Sequence, residues 1–444
     1  MRTQSHTLVL ERQRLEREGE RIAQALLTSG RKKRKIVDHA QKLWQMKHDY
    51  FGFAVVLDGA EILLSAKVVA QAGEQEFHCR FRMSDYMFDR IHVDIRDLVH
   101  DCSLFMGRPY AVGRVGPSSM QRMYSVIQQL AFGICSFGVK DYSGVGCALG
   151  RDCLYAFCKF IIRRYQHEYL GRWNKEGLIA ETAANELRGF PGMIGSIDCS
   201  HWVWHRCPMA WQGMYQDRNH KRSVVVDAVA GHDTYFHQAF VGLPGSLNDL
   251  NIMARTDLQT KFMHSIAFDH PFILACHRQK GAYLLADGIY PAWTNLMRTI
   301  PMPVGENQKV FAKAHESVKK DVERAFGRLH AKWHVLKYRA MAQKACHLND
   351  IWLCCIILHN MTLKDEKTKK LDRTAVTVYP SALDALGGLG RLQPMRDDAY
   401  YAAHSVTAMI KKRKEVENSG MSAIKQRALV EHVFLHSKKR TVRR

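Results

Sequence analysis

The sequence predicts an α/β domain preceded by a helical region, with basic segments at both ends. Three observations carry this. From residue 190 onward, short Val- and Ile-rich runs end on acids or turn residues and are followed by long amphipathic helices, an order found in layered α/β and α+β domains. Residues 81–162 instead repeat apolar side chains at helical spacing between Gly-containing turns. The net charge of +22 is concentrated at the ends, with +6 in residues 1–50 and +8 in residues 405–444.

The 444 residues leave room for two to four domains of roughly 100–200 residues. Hydrophobic residues at 46% and charged residues at 24% exclude wholesale disorder. No apolar run approaches the ~18–20 residues of a membrane span; the longest is Ile351–Leu358. The N-terminus is too charged for a secretory signal. Twelve cysteines without a CxxC pair read as reduced thiols in an intracellular compartment. The positive balance points to a polyanionic partner.

In chain order, residues 1–50 read as a basic helical arm, with Leu8, Leu15, Ile22 and Leu26 at helical spacing. The block Arg31–Lys35 reads as a nuclear-import or nucleic-acid patch, or as a solvated charge run. Residues 51–180 form a helical, helix-turn-helix-like region, although 51–76 carry no usable pattern. Within it, Phe81, Met83, Phe88, Ile91, Ile95 and Leu98 mark one helix. Ser118 caps a second, and Val145 to Ile162 make a third. The region is either a DNA-binding bundle or a plain scaffold.

Residues 181–365 hold the α/β domain. Met193–Asp198, Ser223–Ala230, Thr234–Val241 and Tyr283–Asp287 are its strands, with a turn at Gly231-His232-Asp233. Ala314–Trp333 and Asn349–Met361 are its helices. Residues 366–444 form a basic tail with a helical patch at 421–436.

Asp198 and Asp287 each close a strand, and Glu323 lies beside the apolar stripe of a long helix. Three acids on one scaffold suit two divalent ions about 3.5–4 Å apart, the arrangement that drives in-line attack on phosphate. Magnesium prefers such hard oxygen ligands.

Motifs around these acids sharpen the reading. Gly195-Ser196-Ile197-Asp198-Cys199-Ser200-His201-Trp202, followed by Cys207-Pro208-Met209-Ala210-Trp211, resembles the first catalytic block of PIF/Harbinger-type DDE transposases. Gly242–Asp249, Leu285–Pro291, Asp321–Leu329 and Ile356–Met361 are similar to four further blocks, in family order across roughly residues 80–365.

The resemblance implies a ribonuclease H-like catalytic domain, a mixed sheet with flanking helices, in which Asp198, Asp287 and Glu323 are the DDE triad. It implies Mg²⁺, or Mn²⁺, as a pair of ions. Its partners would be DNA, both transposon terminal inverted repeats and target, a Myb-like accessory DNA-binding protein, and further copies of the chain on DNA; none is a membrane. The protein would act in the nucleus. The implied activity is cutting and joining of DNA at transposon ends. A domesticated DNA-binding descendant, or a nuclease without strand transfer, are the alternatives.

Other residues carry two readings each. Asp249 supports the site or, at the spacing Ser246-x-x-Asp249, completes a capping box. Cys199, His201, His205 and Cys207 alternate like zinc ligands, but Pro208 and nearby tryptophans favour packing around the site. His201 contacts DNA or orders the acid. Trp202, Trp204 and Trp211 stack on bases or pack in the core. Lys221 and Arg222 grip phosphate or begin a solvated strand. Arg324 and Arg328 neutralise phosphate or pair with Asp321; His315 and Lys319 are of the same kind. His359 and Asn360 complete a buried polar network. Lys411, Lys412, Arg413 and Lys414 are DNA-binding candidates in the tail.

Overall fold

A computed structural model describes residues 54–57, 60–63, 74–97, 103–106, 116–170, 175–374 and 406–442. The arm at 1–50 and its basic block lie outside the described residues. The chain divides into two compact units, residues 1–160 with 332–335, and residues 161–331 with 336–444. Among the described residues, no helix is long and apolar enough to cross a membrane.

The first unit begins with an antiparallel pair, β1 (Ala54–Leu57) and β2 (Ala60–Leu63), where the sequence showed no pattern. The helices α1 (Glu74–Phe81), α2 (Asp85–Asp97), α3 (Ser119–Phe132) and α4 (Ser136–Ser143) follow, and α5 (Cys147–Tyr169) starts here. Rings from three helices make its core: Phe77 stacks on Phe81 at 4.5 Å, and Phe81 meets Phe88 and Tyr124 edge-on. Ser118 caps α3 as expected. Its hydroxyl accepts from Gln121 N at 3.2 Å, and Gln121 Oε1 accepts from Ser118 N at 2.8 Å, a reciprocal capping box.

The second unit is α/β. Helix α6 (Lys175–Glu186) leads into β3 (Met193–Val203), β4 (Ser223–Ala230) and β5 (Phe236–Pro244). Two short helices, α7 (Asp249–Arg255) and α8 (Leu258–His264), come next. The hairpin β6 (Pro271–Leu274) and β7 (His277–Lys280) precedes β8 (Tyr283–Ala286) and β9 (Leu296–Arg298). Among the described residues, four helices finish the unit: α9 (Glu306–Lys332), α10 (Ala345–Thr374), α11 (Val406–Val416) and α12 (Ser419–Val442).

The main sheet runs β5-β4-β3-β8-β9. Its first three strands are antiparallel, and β8 and β9 are parallel to β3. Successive strand residues point to opposite faces, and the core follows that rule. Leu284 and Ala286 join one apolar cluster with Ile197, Val229 and Met253. Tyr283 and Leu285 join another with Phe190, Met193 and Phe311. β4 is buried along its whole length, which explains its uninterrupted Val run.

The expected tail is part of this unit. Val416 belongs to the first cluster, and Leu429, Val430 and Val433 belong to the second. Lys425, 6% exposed, donates to Gly281 O at 2.6 Å and Thr294 O at 3.2 Å. Counting charges concealed this docking, because Lys411, Arg413, Lys414, Arg427, Lys438 and Lys439 are exposed on helices whose apolar stripe is short.

Several boundaries moved for physical reasons. β3 continues past Asp198 because its ladder with β4 runs to Val203 opposite Ser223. The long helix begins at Glu306, ahead of its first buried stripe residue, Phe311. α10 continues past Met361 to Thr374 through polar helix formers.

Candidate active site

Asp198 sits in mid-strand on β3, paired with Ala228 of β4. Gly195, three residues earlier, has φ +144°, and a Cβ there would stand 2.7 Å from Ala230 O. Only glycine lets the two strands approach so closely at this point. Asp287 is the first residue after β8, the central parallel strand next to β3. Glu323 comes from α9, where the buried stripe Phe311, Val318, Val322, Ala325 and Leu329 seats the helix on the unit.

Residues four apart on a helix share a face, so His315, Lys319 and Glu323 form one row. All three line a cavity of ≈ 510 Å³ together with Asp287, Thr299 and Pro301. Lys319, only 8% exposed, places its Nζ 3.8 Å from Asp198 Oδ1 and in direct contact with Asp287 Oδ2. Two acids from two strands therefore meet at one ammonium group.

Burial raises the Asp198 carboxyl above the usual carboxylate range. Lys319 opposes that rise, while the charges of Asp287 and Glu323 add to it. They are not closed to common ligation distance: among the described residues, the group of three whose ligand atoms all lie within 4.8 Å is Glu181, His232 and Asp233. The ammonium of Lys319 lies against two of them, Asp198 and Asp287. The donor set fits a hard divalent cation, since carboxylates already gather around positive charge. His315 Nε2 donates to Met297 O at 3.0 Å, and burial pushes its pKa down, toward the neutral ring.

The remaining candidates fall elsewhere. His201 is an odd number of residues from Asp198 along an unbroken ladder, so it faces the other side of the sheet. It lies exposed, with Nδ1 3.1 Å from Ser223 Oγ, and does not order the acid. Cys199 contacts Tyr290 Oη at 3.4 Å; Cys199, His201, His205 and Cys207 form no metal-ready group. Asp249 is the first residue of α7, but the cap is Asn248, whose side chain accepts from Asn251 N at 2.9 Å. Ser246 instead donates to Met214 O at 2.6 Å, which corrects the expected capping box.

Arg324 pairs with Asp321, which also holds Arg188 at 2.6 Å, so the plain reading of Arg324 is the one found. Arg328 donates to Thr234 Oγ1 at 2.8 Å. Lys221 is exposed, and Arg222 reaches Gln212 Oε1 at 2.7 Å. Trp202 and Trp204 are buried and donate to Tyr338 O and Ala342 O, each at 2.7 Å; Trp211 is 41% exposed. Asn360 bonds Phe236 N and O and Tyr169 O, and His359 reaches Thr234 O, the expected buried network. Lys411, Arg413 and Lys414 are exposed, whereas Lys412 donates to Met263 O at 3.0 Å.

Lys319 appeared in the sequence only as a phosphate-facing candidate; its spacing to Glu323 was the signal for a shared face. Glu181 was missed altogether, since 51 residues separate it from His232 and no spacing rule links them.

Residues 167–370 match the family model described as plant transposon protein. The protein named "Putative nuclease HARBI1" in Bos taurus is 26% identical over 183 residues, 40% of this chain and 48% of that protein. Its counterpart in Mus musculus is 25% identical over 179 residues, and that in Rattus norvegicus 25% over 183, each again covering 40% of this chain and 48% of its own. The chain thus spans about half the length of the curated relatives it matches. No solved structure matches it.

Proposed function

We propose, from the premise that residues 167–370 belong to the plant transposon protein family, that this chain is a DDE-type transposase-nuclease acting on DNA in the nucleus. The observation that supports it best is the meeting of Asp198 and Asp287 at Lys319 Nζ, with Glu323 one turn along the same helix and Asp287 and Glu323 on the same cavity. Three antiparallel strands followed by two parallel ones support a ribonuclease H-like reading of the unit. The names of the curated relatives support nuclease chemistry.

Asp198, Asp287 and Glu323 would hold two divalent ions, magnesium or manganese. Bound there, the ions would supply an activated water or 3′-hydroxyl and a stabilised leaving oxygen. The chain's own part is positional. The two strands β3 and β8 fix two carboxylates, and α9 fixes the third. Lys319 adds a positive charge beside the reacting phosphate. His315, anchored to Met297 O, holds the cavity wall. The exposed cations Lys221, Lys411, Arg413 and Lys414 would engage phosphates along the duplex. Terminal inverted repeats, target DNA, a Myb-like helper and further copies of the chain complete the proposed assembly.

The test is nicking of supercoiled plasmid by the full chain with Mg²⁺, beside the variants Asp198→Asn, Asp287→Asn and Glu323→Gln. Each variant should lose at least about 100-fold in rate while binding a labelled duplex as before. Undiminished nicking by any of them removes that residue from the proposal. Joined products, sought with a pre-cut donor end, separate a transposase from a nuclease without strand transfer. DNA binding with no wild-type cleavage would leave a DNA-binding descendant.

A further inference from the structure

At the other end of the sheet from Asp287, the β4–β5 turn meets α6. Glu181 of α6 and His232 and Asp233 of the turn each offer one ligand atom, and these atoms all lie within 4.8 Å of one another. Glu181 is 4% exposed. Its Oε1 accepts from His232 N at 2.7 Å, and its Oε2 lies 2.9 Å from His232 Nδ1.

His237 of β5 borders the same space. A Cβ built on Gly231 would stand 2.7 Å from Glu181 Oε1 and 2.8 Å from His237 Nε2. Glycine at 231 thus lets a buried carboxylate and a second imidazole approach the turn more closely than any side chain there would allow.

We infer that Glu181, His232, Asp233 and His237 form a binding site for one zinc ion, separate from the carboxylate trio. Two imidazoles and two carboxylates are a four-ligand nitrogen–oxygen set of the kind that holds zinc. Magnesium, which demands oxygen ligands and keeps its waters, is poorly served by it. Ligands about 2.1 Å from one ion lie at most about 4.2 Å apart, so the three close atoms tighten by less than an ångström.

Two cations neighbour the cluster. Lys367 pairs with Asp233 at 2.5 Å but is 59% exposed, so releasing it costs little. Arg188 is already engaged by Asp321 and Asn185. Zinc here would fasten α6 to the hairpin whose first strand, β4, backs Asp198. Ala228, the register partner of Asp198, is three residues from Gly231, about 10 Å along the strand.

The test strips the full chain with a chelator, saturates it with Mg²⁺, and titrates Zn²⁺ and separately Co²⁺. One zinc per chain is expected, with a rise in Tm. Cobalt should give a tetrahedral spectrum with no thiolate charge-transfer band. His232→Ala and His237→Ala should each weaken zinc binding at least tenfold, while Asp287→Asn leaves it unchanged. Gly231→Ala, which crowds Glu181 and His237 without removing a ligand, should weaken it too, and it serves should the histidine variants misfold. Failure of the wild-type chain to retain zinc would overturn the inference. So would equal retention by His232→Ala/His237→Ala, or a thiolate band, which would move the metal to cysteines. None of these outcomes depends on cleavage activity.

Discussion

Two buried lysines of the second unit have opposite surroundings. Lys319 faces carboxylates, Asp198 and Asp287, beside a cavity. Lys425 faces two backbone carbonyls and the rings of Phe272 and Tyr283 at 5.1 and 5.4 Å. Burial pushes the pKa of Lys425 down to about 7. The first lysine neutralises charges whose convergence is otherwise unfavourable. The second satisfies carbonyls and seats a helix. What distinguishes the candidate site is therefore not the burial of a cation but charged partners that converge on open space.

The contrast yields four measurements, from the largest effect to the smallest. Lys319→Met should cut nicking by about 100-fold, roughly 3 kcal/mol of barrier, and should lower Tm in chelator. Added Mg²⁺ or Mn²⁺ should restore that Tm, because it replaces the missing positive charge. An unchanged Tm and rate would reduce Lys319 to a packing residue.

Lys425→Ala should leave the chemistry of the site untouched but destabilise the unit by about 2 kcal/mol, since it orphans two carbonyls. A denaturant titration reads this directly.

Stability should also depend on pH through Lys425. Its folded-state pKa is about 7 against 10.5 for the free side chain. Between those values the unfolded chain holds a proton that the folded one lacks, so stability rises with pH across that window, by up to about 1.4 kcal/mol per unit. Below about pH 7 both states are protonated and the dependence ends. Lys425→Met should remove this slope, and identical profiles for the two proteins would refute the assignment.

The smallest effect concerns the exposed charges of α11. Neutralising Lys411, Arg413 and Lys414 should lower the salt slope of duplex binding by about one for each phosphate that the chain no longer grips, with little change in fold stability. Deleting residues 405–444 is a different experiment, because it removes Leu429, Val430 and Val433 from the core.

Much of the site was readable because its parts carry local patterns. Acids closing Val- and Ile-rich strands are visible in the sequence, and the four-residue spacing of Lys319 and Glu323 already predicts a shared helix face. The missing parts carry no local signal. The β6–β7 hairpin turns at Ala275 and Cys276, both with positive φ, where Asn-Gly is the usual sequence cue. The ladder beyond Asp198 mixes Cys, His and Trp, whose side chains obscure the alternation. Pairing between Glu181 and His232 is purely tertiary. The docking of α12 is hidden by its charge, for three core residues weigh little against a basic average.

That last feature bears on how the protein is made. Residues 419–442 complete the packing beneath β8 and α9, so the sheet lacks part of its cover while the ribosome is still at the end of α10. At about 5–20 residues per second, the interval from Thr374 to Val442 lasts roughly 3–14 seconds. During that interval the nascent chain exposes the apolar surface that Leu429, Val430 and Val433 later cover. The docking of α12 thus sets the time at which this surface is withdrawn from chaperones.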